Sequence, residues 1–210
     1  MTSAPRLIVF SDLGVVAEAE LLQRVERAAR AARAGSLLVV LRDKELSARE
    51  RLRFGAELAL VARRQRQLFG VAERLDLALA LGADAVHLAE DSVDAWDARK
   101  LVGGSLFVSR ACHDPDRAGE LDADALVLSP IMSPRKGRPA LGLAALMRAK
   151  ERCGSRLLYA LGGVDAGNAL PCIGAGADGV AVIGAVLQAE PEPLLAALGL
   201  AQPTAASNHS

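Results

Sequence analysis

A glycine pair at Gly162-Gly163, a further glycine at Gly184 behind Ile183, the triplet Arg42-Asp43-Lys44, a basic loop around Lys136 and a histidine at His113 have types and spacing suited to chemistry on an anion. Glycine lets backbone amides approach phosphate oxygens closely, and a helix N-terminus nearby adds further donors. Arginine grips a planar anion through paired N–H bonds, whereas lysine acts as a point charge on phosphate or pyrophosphate. Each feature has a plainer explanation: two turn glycines, a solvated strand end, an exposed connection. Their recurrence behind successive apolar runs favours a phosphorylated small molecule. His113 is the histidine placed for proton transfer near neutral pH. His87 lies inside an apolar run and reads as a core or supporting histidine, and His209 falls in the tail. Cys112 invites a nucleophile reading but is expected to point into the wall of the fold. Glu73, Glu90 and Asp91 supply oxygens of the kind Mg²⁺ prefers, yet no spacing demands a metal, so no cofactor is expected from the residues alone.

Short apolar runs and longer helical patterns alternate along the chain to position these groups. The runs are Leu7–Phe10, Leu37–Leu41, Gln67–Val71, Ala85–Leu88, Leu106–Val108, Ala125–Leu128, Leu157–Leu161 and Gly179–Ile183. Between them, Glu18–Arg33, Ser47–Arg64, Asp94–Val102 and Leu143–Arg152 carry apolar residues at helical spacing. Runs this short and this apolar suit strands buried on both faces, as parallel sheets require. Eight units predict an α/β fold of the (β/α)₈ TIM-barrel type; a doubly wound open sheet competes, but no dinucleotide fingerprint opens the first helix. Gly82-Ala83-Asp84 and Gly174-Ala175-Gly176-Ala177-Asp178 each end a helix and feed a strand, with glycine in the left-handed cap. In a barrel the active site lies at the C-terminal strand ends. Asp12, Arg42, Lys44, Glu73, Arg74, Glu90, Asp91, Arg110, His113, Ser129 and Lys136 all follow apolar runs and therefore share that rim.

Composition narrows the partners. Lys+Arg and Asp+Glu are 25 each, so the formal net charge is zero, and the aromatics number six. That combination argues against nucleic acid, whose binding rests on concentrated cations and stacking platforms. No apolar run reaches the roughly 18 residues a membrane helix needs. The chain reaches its first apolar run at once, which predicts no signal peptide. Three widely spaced cysteines, with no CxxC, suit a reducing cytoplasm. Residues 1–200 are expected to form one domain and 201–210 a disordered polar tail; a homo-oligomer is compatible with all of this.

The chain resembles the thiamine phosphate synthase and thiazole tautomerase family from about Leu7 to Pro193. The resemblance is carried by the stretch from Leu75 to Leu88, by Leu161-Gly162-Gly163-Val164, and by the stretch from Ala175 to Ile183. Val40-Leu41-Arg42-Asp43-Lys44 is similar to the family's Gln-Leu-Arg-Glu-Lys, and Ser129-Pro130-Ile131 with Lys136 to its Gly-Pro-Ile-Phe-Pro-Thr…Lys loop. The resemblance implies a barrel with a thiazole-phosphate site. Gly162, Gly163, Ile183 and Gly184 then bind phosphate, and Arg42, Lys44, Arg110 and Lys136 bind the rest of the substrate.

The synthase branch joins a pyrimidine pyrophosphate to thiazole phosphate and releases pyrophosphate with Mg²⁺. Its Asn-Asp pair after strand three is here Ala72-Glu73, and the aspartate closing its strand-four motif is Ser92 in Ala89-Glu90-Asp91-Ser92. Its serine two before the histidine is Ala111, and its lid is one residue longer and contains a threonine. Glu73 and Asp91 would have to hold the metal on that reading. Arg110-Ala111-Cys112-His113 resembles the tautomerase branch's Arg-Ser-Val-His, and that branch dispenses with Mg²⁺. The resemblance therefore favours a metal-independent tautomerase-like isomerase with His113 as acid and base. A divergent synthase, and a non-catalytic binder of phosphorylated thiazole or thiamine phosphate, are the alternatives.

Overall fold

A computed structural model describes residues 4–135 and 137–203 of the chain. Eight parallel strands close into a barrel in sequence order: β1 Leu7–Phe10, β2 Leu37–Leu41, β3 Leu68–Ala72, β4 Ala85–Leu88, β5 Phe107–Cys112, β6 Ala125–Leu128, β7 Leu157–Leu161 and β8 Gly179–Val182. β8 pairs back onto β1, with Leu7 opposite Val180, which leaves no sheet edge. All residues of β1, β2, β6 and β8 are buried, the burial that a parallel sheet clothed by helices imposes.

The helices are α1 Glu18–Ala31, α2 Ala48–Arg64, α3 Leu75–Leu81, α4 Ala95–Val102, α5 Leu143–Arg152, α6 Ala169–Gly174, α7 Gly184–Leu187 and α8 Pro191–Ala197. The amphipathic α1 buries Leu21, Val25, Ala28 and Ala29 on one stripe. At the start of α2 a capping box forms: the Glu50 amide donates to Ser47 Oγ at 3.3 Å and the Ser47 amide to Glu50 Oε2 at 3.0 Å. Gly82 ends α3 at φ 59°, the left-handed cap that its sequence context predicts.

The structure departs from the sequence reading at β5. The strand runs on through Ser109 and Arg110 to Cys112 because both polar side chains are buried and find partners inside the fold. The next connection holds a single 3₁₀ turn, Pro115–Gly119, in place of an α-helix, and α5 packs on it. Residues 201 and 202 of the expected tail are tied down: Ala201 bridges Ala32, and the Gln202 amide donates to Ala31 O at 2.8 Å. Residues 204–210, including His209, lie outside the described residues, as does Lys136.

The N-terminal rim of the barrel repeats one device. Asp84, Asp124 and Asp178, each just before an even-numbered strand or its pair, accept from the amides of Phe69, Val108 and Leu158 at 3.0, 2.8 and 2.8 Å. Each carboxylate thus clips the start of the preceding odd-numbered strand. All three cysteines are free and buried. No helix among the described residues is long and apolar enough to cross a membrane.

Candidate active site

The C-terminal strand ends open on a cavity of about 210 Å³. Arg42 and Lys44 enter from the end of β2, Glu73 from β3, His87 and Glu90 from β4 and its loop, and His113 from β5. Arg135 and Arg138, on the loop after β6, complete the polar lining, while Phe10, Ala72, Ala111 and Leu161 supply apolar surface. Four described cations therefore face two carboxylates across one pocket.

Arg42 is held from both sides. Its amide donates to Ser11 Oγ at 2.9 Å, and its guanidinium pairs with Asp12 at 2.5 Å. Its Nε is buried without a hydrogen-bond partner among the described residues, an N–H that an incoming anion would satisfy. The buried Asp43 supports this arrangement by accepting from Ser11 Oγ and, at 2.5 Å, from the Leu13 amide. Lys44 is exposed at the mouth. Arg135 lies 3.8 Å from Asp12, and the reciprocal backbone bonds between Arg135 and Arg138, 3.0 Å each, fold the basic loop over the pocket. Sequence reasoning singled out that loop for Lys136 and missed both arginines; its dense positive charge was the available signal.

Two histidines line the same wall. His113 Nδ1 lies 2.9 Å from the carbonyl of Ser129, which only accepts, so Nδ1 carries the proton and Nε2 is an acceptor. The His113 amide donates to Glu90 Oε1 at 3.3 Å, which fixes its backbone. His87 is not core filler: it lines the pocket, with its ring edge-on to Phe10 at 4.8 Å between centroids. Burial, reinforced by the positive charges of Arg42, Lys44 and Arg110, holds it down at about 3, so it is neutral. The apolar neighbours of His87 in sequence hid this role.

Gly162, Ile183 and Arg135 also line an adjoining cavity with Gly163, Gly184 and Ala185. Among the described residues, the amides of Gly163, Gly184 and Ala185 make no hydrogen bond, which leaves donors for an anion. The glycine pair also answers a packing need. At φ 103° and 71° it passes so close to the β6 loop that a Cβ on Gly162 would sit 2.9 Å from Pro130 Cα, and one on Gly163 would overlap the Ser133 side chain.

Other candidates lie elsewhere. Arg110 is buried and outside the pocket lining; its guanidinium donates to the carbonyls of Ala89, Glu90, Ser92, Val93 and Asp122, stapling the β4 loop. Cys112 Sγ donates to Asp114 O at 3.1 Å, and burial pushes its thiol up to about 12, which removes it as a nucleophile. Asp91 is exposed and off the pocket.

The donors do not fit a protein-held Mg²⁺. Glu73, at a left-handed φ of 65°, accepts from the Ala89 amide at 2.5 Å, and Glu90 is held by His113 N and, at 3.6 Å, by Arg117. Among the described residues no group of three or more His, Cys, Asp or Glu side chains is gathered to hold a metal.

Comparison with known proteins supplies the context. Residues 8–186 match a family model described as thiamine monophosphate synthase. The chain is 39% identical over 181 residues to a thiamine-phosphate synthase of Thermus thermophilus, covering 84% of this chain and 86% of that one. It is 38% identical over 170 residues to a thiamine-phosphate synthase of Natronomonas pharaonis, covering 76% and 78%. Among solved structures, thiamine phosphate pyrophosphorylase from Pyrococcus furiosus superposes with a TM-score of 0.79 at 26% identity, over 92% of this chain and 95% of that one.

Proposed function

Because this chain belongs to the thiamine monophosphate synthase family, we propose that it is a divergent synthase joining a pyrimidine pyrophosphate to thiazole phosphate. The observation that carries this reading is the cationic wall of Arg42, Lys44, Arg135 and Arg138 beside an apolar slot, with free amides in the adjoining cavity. The thiazole phosphate sits on the amides of Gly163, Gly184 and Ala185. The pyrophosphate lies against the cations, with the buried Nε of Arg42 as one of its donors.

In the reaction the carbon–oxygen bond to pyrophosphate breaks and the thiazole nitrogen bonds to the same carbon. No net proton moves. Negative charge grows on the departing oxygen, and donors fixed before the reaction stabilise that charge most effectively. Asp12, Asp43 and Ser11 hold Arg42 in place for this. Mg²⁺ is the cofactor that synthase chemistry implies; because Glu73 and Glu90 are already engaged, the leaving-group charge is assigned here to the arginines and Lys44. The test is incubation with both precursors, with and without Mg²⁺; formation of thiamine phosphate and pyrophosphate supports the reading.

One observation favours the tautomerase reading: His113 lines the pocket with Nδ1 held by the Ser129 carbonyl, which leaves Nε2 to relocate a proton on a thiazole carboxylate phosphate. His113→Ala separates the two. Synthase turnover stays within about 5-fold, since no proton is transferred, whereas tautomerase turnover falls by about 10²–10⁴.

A further inference from the structure

We infer that His87 is a specificity residue: its bare Nε2 accepts an N–H from the pyrimidine and so selects an amino-substituted ring. This rests on the synthase reading and adds a ring-recognition contact to it. His87 Nδ1 lies 3.0 Å from Ser109 Oγ, and we assign the one hydroxyl proton to Val86 O, 3.4 Å from the same Oγ. The hydroxyl therefore accepts from Nδ1–H, and the neutral ring is left with an unprotonated Nε2.

Among the described residues that nitrogen has no partner and is not enclosed, while the ring lines the pocket, so the lone pair opens onto ligand space. Phe10, edge-on at an interplanar angle of 66°, sets the ring plane. Ala72 and Ala111 are small and leave room beside it for a flat heterocycle.

The surrounding charges preserve this state. Arg42, Lys44 and Arg110 disfavour a second proton on the imidazole, and burial does so more strongly. Glu73 and Glu90, the carboxylates of the same pocket, are engaged by the amides of Ala89 and His113. A neutral imidazole acceptor that faces ligand space is satisfied by a ligand N–H. Thiamine's pyrimidine presents one as an exocyclic amine, and an analogue with methoxy in its place presents none.

Two measurements on the full chain test this. The ¹⁵N shifts of His87 are expected to report a neutral, Nδ1-protonated ring from pH 5 to 8; an Nε2–H ring or an imidazolium overturns the inference. Calorimetry with the aminopyrimidine pyrophosphate and its methoxy analogue is expected to give a preference for the amine of about 10- to 100-fold. His87→Leu brings that preference to about 1 by weakening the amine alone, and His87→Gln, which restores an acceptor, recovers part of it. Equal binding of both compounds by the wild type, or an undiminished preference in His87→Leu, overturns the inference and leaves the synthase reading standing. No binding of either compound overturns both.

Discussion

The two rims of the barrel carry similar residues in opposite roles. At the N-terminal rim, Asp84, Asp124 and Asp178 each turn a carboxylate oxygen onto a strand amide, and Lys150 and Arg99 pair with two of them. These three carboxylates find their partners within the protein. At the C-terminal rim, Arg42 keeps a buried Nε unpartnered, His87 and His113 keep acceptors open, and the amides of Gly163, Gly184 and Ala185 remain free. Satisfied polar groups stabilise the fold, and groups left unsatisfied in a cavity mark where a ligand belongs.

The largest expected effect breaks the upper rim. Arg42→Ala lowers kcat for thiamine phosphate formation by about 10²–10³ while the melting temperature stays within a few degrees, as steady-state assays and calorimetry will show. Arg110→Ala shows that a cation near this rim can belong to the other class. It leaves carbonyls of the β4 loop without donors and lowers stability by about 3 kcal/mol in denaturant titrations, with activity falling only as that loop loosens. At the lower rim, Asp178→Ala leaves the Leu158 amide without its acceptor, costs about 1–2 kcal/mol in the same titration, and does not change KM.

The last effect is a pH dependence. His87, held down at about 3, is neutral in the fold, whereas the unfolded chain takes up that proton below roughly pH 6.5. The unfolded state then binds more protons, so this contribution to stability is present at neutral pH and is lost as pH falls from about 6.5 toward 3. His87→Gln should flatten the acid limb of the stability curve by at most ~1.4 kcal/mol per pH unit relative to wild type, measured by unfolding from pH 7 to 4.

The lower rim was legible in the sequence. The repeated Ala-Asp before strands and the glycine caps have one local explanation each, and buried parallel strands announce themselves as apolar runs. The upper rim was legible only in part. Arg42, Lys44, His113, Gly162 and Gly184 follow such runs and do gather around the adjoining cavities. Arg110 was misplaced because a sequence gives a charge but not its direction, and alternation along β5 turns it away from the pocket lining. His87 reads from sequence as a core or supporting histidine because its neighbours are apolar, though alternation also leaves one side chain of a buried strand end facing ligand space. Arg135 and Arg138 sit in a loop without periodicity, where only composition spoke. The metal-ligand departures at Ala72-Glu73 and Ser92 were visible in the sequence, yet the relatives are synthases.

The synthase and tautomerase readings of this cation-lined pocket part on the reaction each requires. The direct test is a side-by-side assay of the purified protein on pyrimidine pyrophosphate with thiazole phosphate, and on thiazole carboxylate phosphate alone, each with and without Mg²⁺. The account predicts thiamine phosphate and pyrophosphate in equal amounts from the first mixture, with the rate lost in Arg42→Ala and kept in His113→Ala. Turnover of the thiazole carboxylate phosphate alone, abolished by His113→Ala, with no thiamine phosphate at high enzyme concentration, would contradict it.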